Sequence, residues 1–353
     1  MTVLAYFTAA RLKTLAIAAA GVLFFWALGL PLPFLFGPMF ACLGAALAGA
    51  QLTSMHPFGA IARVILGVAI GASVSPEVVG RVPQMLATVA LVPVYIIVIG
   101  LIGVPFFTRI CKFDRVTAWY AAMPGGLQDM VLFGAEAGGD VRALSLIHAT
   151  RVLVIVTLAP IILVGFFGAS LSNPIGTPAA DLPLSEMALM AVAGLIGWKG
   201  GERIGLFGAS ILGPLIVTAA LSLADVIHYR PPAEAILTAQ FFIGITIGVY
   251  YVGVTLTELR KDVLAGLAFI LILAALAAAF TEIIVLLELA RPIEAFLAFA
   301  PGGQAEMTVL AIFAGADLGF VIVHHLVRIT LVILLAPVAA RLFGITRERP
   351  PPS

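Results

Sequence analysis

Charge is what this chain has least of. Of its 353 residues only 10% are Asp, Glu, Lys or Arg, while 62% are hydrophobic. Soluble domains carry about 25% charged residues, so the chain cannot cover a water-facing surface and reads as an integral membrane protein. A net charge of +1 leaves no basic stripe for nucleic acid. Two cysteines, Cys42 and Cys111, stand far apart with no metal-ligand spacing and read as small apolar fillers. G-x-S-x-G, a Walker loop and H-E-x-x-H are all missing. The stretch Gly197-Trp198-Lys199-Gly200-Gly201 opens no strand–helix unit and reads as a loop, and His324-His325 is too isolated for a ligand set. No enzymatic activity, cofactor or metal site is expected.

What is present is apolar sequence in runs of about 20 residues, the length of membrane-spanning helices rather than of barrel strands. Spans are expected at 12–30, 34–52, 58–75, 84–108 and 143–168, then at 184–199, 206–226, 234–256, 263–287 and 317–341. The amino terminus, with Arg11 and Lys13 followed by an apolar run to Leu30, could pass for a signal peptide, but further spans follow at once and a transmembrane helix is expected. No stretch is left over for a soluble domain. The tail 346–353, ending Pro350-Pro351-Pro352-Ser353, has the composition of a disordered segment.

Two apolar segments, 116–139 and 295–315, are interrupted. One carries Met123-Pro124-Gly125-Gly126-Leu127-Gln128-Asp129-Met130, the other Ala300-Pro301-Gly302-Gly303-Gln304-Ala305-Glu306-Met307. Proline removes a backbone donor and the glycines weaken any helix that tries to continue. Pro301 lies 177 residues after Pro124, and the same offset relates Met130 to Met307, Gly138 to Gly315, Asp140 to Asp317, His148 to His325 and Arg151 to Arg328. Gly67 and Gly71 likewise map onto Gly244 and Gly248. Rare polar residues and helix breakers recurring in one register mark a duplicated chain. The repeats are expected at 1–172 and 184–345, with a linker at 173–183.

Loop charges set the expected orientation, because Lys and Arg mark the cytoplasmic side. Arg11 and Lys13, then Arg109, Lys112 and Arg115, then Lys199 and Arg203, Arg260 and Lys261, and finally Arg341, Arg347 and Arg349 all fall inside if each repeat has five full crossings. Five is odd, so the second repeat is expected to be inverted, with the N-terminus cytoplasmic. Each broken segment then enters and leaves on one side as a re-entrant hairpin. Neither of its pieces reaches across a hydrocarbon core of about 30 Å at 1.5 Å per residue. A single kinked crossing helix is the alternative. The fold class is thus an all-α polytopic membrane protein of two inverted repeats.

Inverted repeats with paired broken helices point to the substrate site of a secondary transporter. At a break, new helix N-termini attract anions and unpaired carbonyls hold cations. Gly125, Gly126, Gln128, Gly302, Gly303 and Gln304 are the expected solute contacts. Asp129 and Glu306, in the first turns of the outgoing helices, are the ion or proton candidates; otherwise they cap exposed N–H groups. His148 and Arg151, with His325 and Arg328, lie at a spacing of three on one helix face. The arginines suit an anion, or a structural ion pair locking the break, and the histidines suit proton transfer, or a neutral hydrogen-bonding strut. Asp140 and Asp317 follow glycines and read as turns with N-caps. The glycines spaced by four read as close helix contacts.

The Pro-Gly-Gly pair with its following Asp…His…Arg pattern resembles the duplicated AbrB-type membrane protein family of bacteria, over nearly the whole chain. The resemblance implies a bacterial inner-membrane protein, with an indirect regulatory effect on gene expression, and supplies no substrate. Family labels such as transcriptional regulator or ammonia monooxygenase match no DNA-binding module or metal constellation here. The broken hairpins also look like those of elevator-type carboxylate transporters. The expectation is an elevator-like secondary transporter of a small polar solute, an organic anion first of all, coupled to H⁺ or Na⁺ and assembled as a homodimer. A membrane-embedded regulator or solute sensor is the alternative.

Overall fold

In the computed structural model the described residues are 8–30, 32–74, 76–171, 176–206 and 208–345; the expected disordered tail and part of the expected linker lie outside them. The chain runs α1 (Ala9–Ala27), α2 (Pro33–Leu47), α3 (His56–Gly71), α4 (Pro76–Pro105, continued by a π turn at Phe106–Ile110), α5 (Arg115–Ala122), α6 (Leu127–Glu136) and α7 (Val141–Gly165). It continues with α8 (Leu184–Arg203), α9 (Ala209–Leu223), α10 (Ala233–Val249), α11 (Leu256–Leu286, with a π turn at Leu259–Val263), α12 (Pro292–Phe299), α13 (Gln304–Ala314) and α14 (Leu318–Leu342). No strand occurs among the described residues. Five helices, α1, the Pro83–Ile110 part of α4 with its π turn, α7, α11 and α14, are long and apolar enough to cross a membrane.

One reading of the sequence needs correction. The Gly-rich stretch at 197–201 is helical and α8 runs on to Arg203. Gly197 is there because α9 comes so close that a Cβ would collide with the Gly213 carbonyl. The expected span at 84–108 corresponds to the membrane-length segment Pro83–Ile110, whose helix already begins at Pro76 and carries Pro83 and Pro93 within it.

The chain divides into two compact units, each built from both repeats. Unit 1 holds α1–α3 and α8–α10, with the short stretch Ile312–Gly319. Its contacts are set by glycine. A Cβ at Gly67 would collide with the Ile211 carbonyl of α9, and one at Gly71 would stand 2.6 Å from the Leu215 carbonyl. In the second repeat Gly244 meets the Leu35 carbonyl of α2 in the same way, and Gly248 would stand 2.7 Å from Met39 O. Removing the side chain lets the backbones touch, and dispersion rather than hydrophobic exclusion then holds the helices inside a bilayer. Helix α3 of one repeat therefore packs on α9 of the other, and α10 packs back on α2. His228, in the loop after α9, pairs through Nδ1 with Glu186 Oε1 in the first turn of α8 at 2.7 Å.

Unit 2 holds most of α4, then α5–α7, α11, α12, most of α13 and most of α14. One aromatic core joins its two halves, with Tyr95, Phe107, Phe269, Phe280 and Phe299 buried. The Tyr95 hydroxyl donates to the Phe299 carbonyl at 2.8 Å. His324 bridges the Phe320 carbonyl at 2.7 Å and Thr88 Oγ1 at 2.9 Å.

Two predictions follow from unit 1. Gly67→Ala should destabilise the protein by about 1–3 kcal/mol, since α9 must retreat. Gly44→Ala in α2, where a Cβ meets nothing within 4 Å, should be neutral or stabilising by up to about 1 kcal/mol. Thermal unfolding in detergent compares the two. The hydrogen bond to Glu186 raises the His228 pKa in the folded state. Its contribution is therefore complete below the unfolded value of about 6.5 and is lost as pH rises through the higher folded value. The unfolding temperature of wild type should fall across that window relative to His228→Asn, which should show no such step.

Candidate functional site

Both interruptions are helix–break–helix, and the outgoing helices begin at Leu127 and Gln304 as the sequence predicts. Each incoming helix has eight residues, and it ends where the backbone turns extended at Met123 (ψ 132°) and at Ala300 (ψ 131°). Ending a helix there strands its last carbonyls, which in a membrane no water can satisfy.

The following helix of each repeat supplies the donors. Arg151 of α7 donates through Nη1 to the Met123 carbonyl (3.3 Å) and through Nη2 to the Gly125 carbonyl (2.6 Å). One turn earlier His148 Nε2 donates to the Tyr120 carbonyl at 3.0 Å. The second repeat reproduces this atom for atom. Arg328 reaches the Ala300 and Gly302 carbonyls at 2.8 and 2.7 Å, and His325 the Leu297 carbonyl at 2.8 Å. All four side chains are buried. A cation at a helix C-terminus also meets the negative end of the helix dipole. The arginines, expected to meet an anion or a carboxylate, thus have both terminal nitrogens on main-chain carbonyls.

His325 is engaged at both ring nitrogens. Nε2 must carry the proton to donate to Leu297, so Nδ1 is an acceptor, and Arg328 Nη2 stands 3.2 Å from it. The network thereby assigns a neutral tautomer. His148 Nδ1 has no partner among the described residues.

Opposite the arginines, carboxylates occupy the start of each outgoing helix. Asp129 and Glu306 are the third residues of α6 and α13, and their carboxylates fold back over Gly126 and Gly303, where a Cβ would collide with them. Each break thus carries a cation at the negative end of one half-helix and an anion at the positive end of the next. Gly125 and Gly302 are covered by Met130 and Met307, whose Cε atoms would stand 2.7 Å from an added Cβ. Gln304 is 7% exposed and its Nε2 has no partner among the described residues. The side chain of Gln128 lies outside the described structure. Arg151 is within electrostatic range of Arg328, Tyr95 and Glu306, which brings groups of both breaks together in unit 2.

Asp140 Oδ1 caps α7, accepting from the amides of Arg142 (2.9 Å) and Ala143 (3.0 Å), as expected of a turn residue. Gly138 and Gly315 both take positive φ, 89° and 65°, and end α6 and α13. Sequence reasoning missed the carbonyl partners of the His–Arg pairs. Their signal was the equal separation of 26 residues from Gly125 to Arg151 and from Gly302 to Arg328. The two breaks differ in several side chains but share their backbone. No group of three or more His, Cys, Asp or Glu able to hold a metal occurs among the described residues.

An all-helical architecture with several membrane-length apolar helices and two clamped helix breaks defines a multi-pass membrane protein. Within that class, the family described as transition state regulatory protein AbrB matches residues 34–344, and the chain belongs to it. It is 24% identical over 359 residues to "Uncharacterized protein YhjN" of Bacillus subtilis (strain 168), covering 93% of this chain and 91% of that protein. It is also 24% identical over 330 residues to "Putative regulator AbrB" of Escherichia coli (strain K12), covering 90% and 91%.

Arg328→Leu should orphan two buried carbonyls and destabilise unit 2 by roughly 3–5 kcal/mol, with Arg328→Lys, whose single nitrogen reaches one of them, about half as damaging. Hydrogen exchange across 297–303 together with thermal unfolding reads this out.

Proposed function

We propose that the protein is a secondary transporter of a small polar solute, an organic anion in the first instance, working across the bacterial inner membrane. The observation that carries this reading is the pair of broken helices held by identical His–Arg clamps in one unit. Fixed irregular backbone inside a membrane protein is tolerated where it lines a cavity or is packed in protein, and paired breaks mark transporter sites. In this reading the repeats are inverted, the N-terminus is cytoplasmic, and each break is the tip of a re-entrant hairpin. The Gly125-Gly126 and Gly302-Gly303 backbones with Gln128 and Gln304 contact the solute. The buried Gln304 amide donor supports that role, because a carboxylate or carbonyl of the solute can accept from it. Arg151 and Arg328 hold the solute-facing backbone in shape and add positive potential. Asp129 and Glu306 couple transport to H⁺ or Na⁺, since binding a cation there changes the charge balance at the helix start. His148 and His325 position the break. An elevator-like displacement of the hairpin-bearing unit provides alternating access, within a homodimer.

The name of the Escherichia coli relative favours one other reading, a membrane-embedded regulator that binds a solute and affects gene expression indirectly. Uptake into proteoliposomes separates the two. Wild type should accumulate an organic anion under an imposed H⁺ or Na⁺ gradient, and Asp129→Asn and Glu306→Gln should each reduce coupled uptake to below about a tenth. Binding without flux in wild type would instead establish the regulator. Normal coupled uptake by both variants would remove the carboxylates from the mechanism.

A further inference from the structure

Unit 2 contains two cavities that are copies of one another. One, of about 590 Å³, is lined by α7, α11 and α12 and reaches Ala300 and Pro301. The other, of about 630 Å³, is lined by α4, α5 and α14 and reaches Met123. Most lining positions of the first become those of the second when displaced by 177: Ile155 and Leu158 become Val332 and Leu335, and Ile270 and Phe296 become Pro93 and Trp119. The volumes suit a ligand of small-molecule size.

Their chemistry differs at two adjacent positions. Where the second cavity has Val104 and Pro105, the first has Thr281 and Glu282. Thr281 is 6% exposed, and its hydroxyl has no hydrogen-bond partner among the described residues. Glu282 lines the cavity and is exposed, and it forms no ion pair or hydrogen bond among the described residues. Nothing in the fold asks for this carboxylate. It lies in the last turns of α11, where the helix dipole disfavours an anion, on a segment apolar enough to cross a membrane. The copied cavity does without it. An ionisable residue on such a helix calls for a partner, and the rest of the wall is hydrocarbon and aromatic. Phe167 and Phe296, both lining it, stand 5.5 Å apart, and ring faces attract a cation.

We propose that the cavity between α7, α11 and α12 is a binding site for an amphipathic amine: a small molecule with an apolar body in the cavity and a protonated amino group at its mouth. The ammonium pairs with Glu282 and the apolar body fills the space beside Ile155, Ile270 and Phe296. The site is separate from the solute contacts of the breaks and does not depend on the transport reading. Its wall includes Ala300 and Pro301, so an occupant touches the second break directly.

The test uses full-length protein in nanodiscs at neutral pH, with phenylhexylamine and its neutral isostere phenylhexanol as probes, followed by calorimetric titration and thermal shift. Wild type should bind the amine at least roughly tenfold more tightly than the alcohol. Glu282→Gln should abolish that preference, whereas Glu288→Gln, an exposed carboxylate beyond the cavity, should keep it. Ala278→Phe, which fills the cavity without touching a charge, should remove binding of both probes. Equal binding of amine and alcohol by wild type would overturn the proposal and mark an ordinary crevice for lipid chains. A preference that survives Glu282→Gln or is lost equally with Glu288→Gln would also overturn it, as adsorption at the membrane surface.

Discussion

A buried guanidinium on two stranded main-chain carbonyls is the interaction on which the rest of this structure depends. Interrupting a helix inside apolar sequence leaves polar backbone that neither lipid nor the helix itself can satisfy. Arg151 and Arg328 each resolve that problem with one planar fork, and a histidine one turn away resolves it for a third carbonyl. Lysine offers a single point charge and could not span two carbonyls. The carboxylate on the far side of each break completes the arrangement, so that both ends of the interrupted dipole are compensated. The break is a fixed shape, set from outside by the next helix.

The two halves of the chain carry this device at an offset of 177 residues, with unequal side chains around it. Gln304 stands where the first repeat has Leu127, and the Glu282 position is proline in the first repeat. Tyr95 reaches from the first repeat to the Phe299 carbonyl, yet Ile272, its counterpart, has no hydroxyl with which to answer. The backbone scaffold is symmetric while the groups able to distinguish a ligand are not. A solute bound as proposed would therefore meet one preferred side, with the shared backbone supplying shape and the unequal side chains supplying recognition.

Much of this was legible in the sequence. Scarce charge and long apolar runs give the helical membrane class, and the breakers Pro124 and Pro301 fall between two short helices as their chemistry demands. The glycines at 67, 71, 244 and 248 sit where backbones touch, and Gly138 with Asp140 makes the turn and cap. Other features were not legible. Spacing alone placed Arg151 and His148 on one face, but whether they faced a carboxylate, a ligand or bare carbonyls depends on packing between segments some 28 residues apart. The helical Gly-rich end of α8 was hidden because Gly197 and Gly201 serve the contact with α9 rather than a turn. The two cavities arise from packing between helices far apart in sequence, and no local pattern announces them.

The glycine contacts of unit 1 have a consequence for how the protein is made. Helix α3 finds its backbone partner in α9, and α2 finds its partner in α10, so each repeat completes its half of that unit only against the other. When the ribosome has released the first three helices, α1 and α2 can already meet at Gly21 and Gly37, but α9, on which Gly67 and Gly71 of α3 pack, is still about 140 residues from synthesis. Until then the glycine face of α3 is unmatched. Those non-local contacts make assembly of unit 1 a late and slow event, and they leave the half-synthesised chain dependent on lipid or an insertion chaperone to shield surfaces that its own second half will later cover.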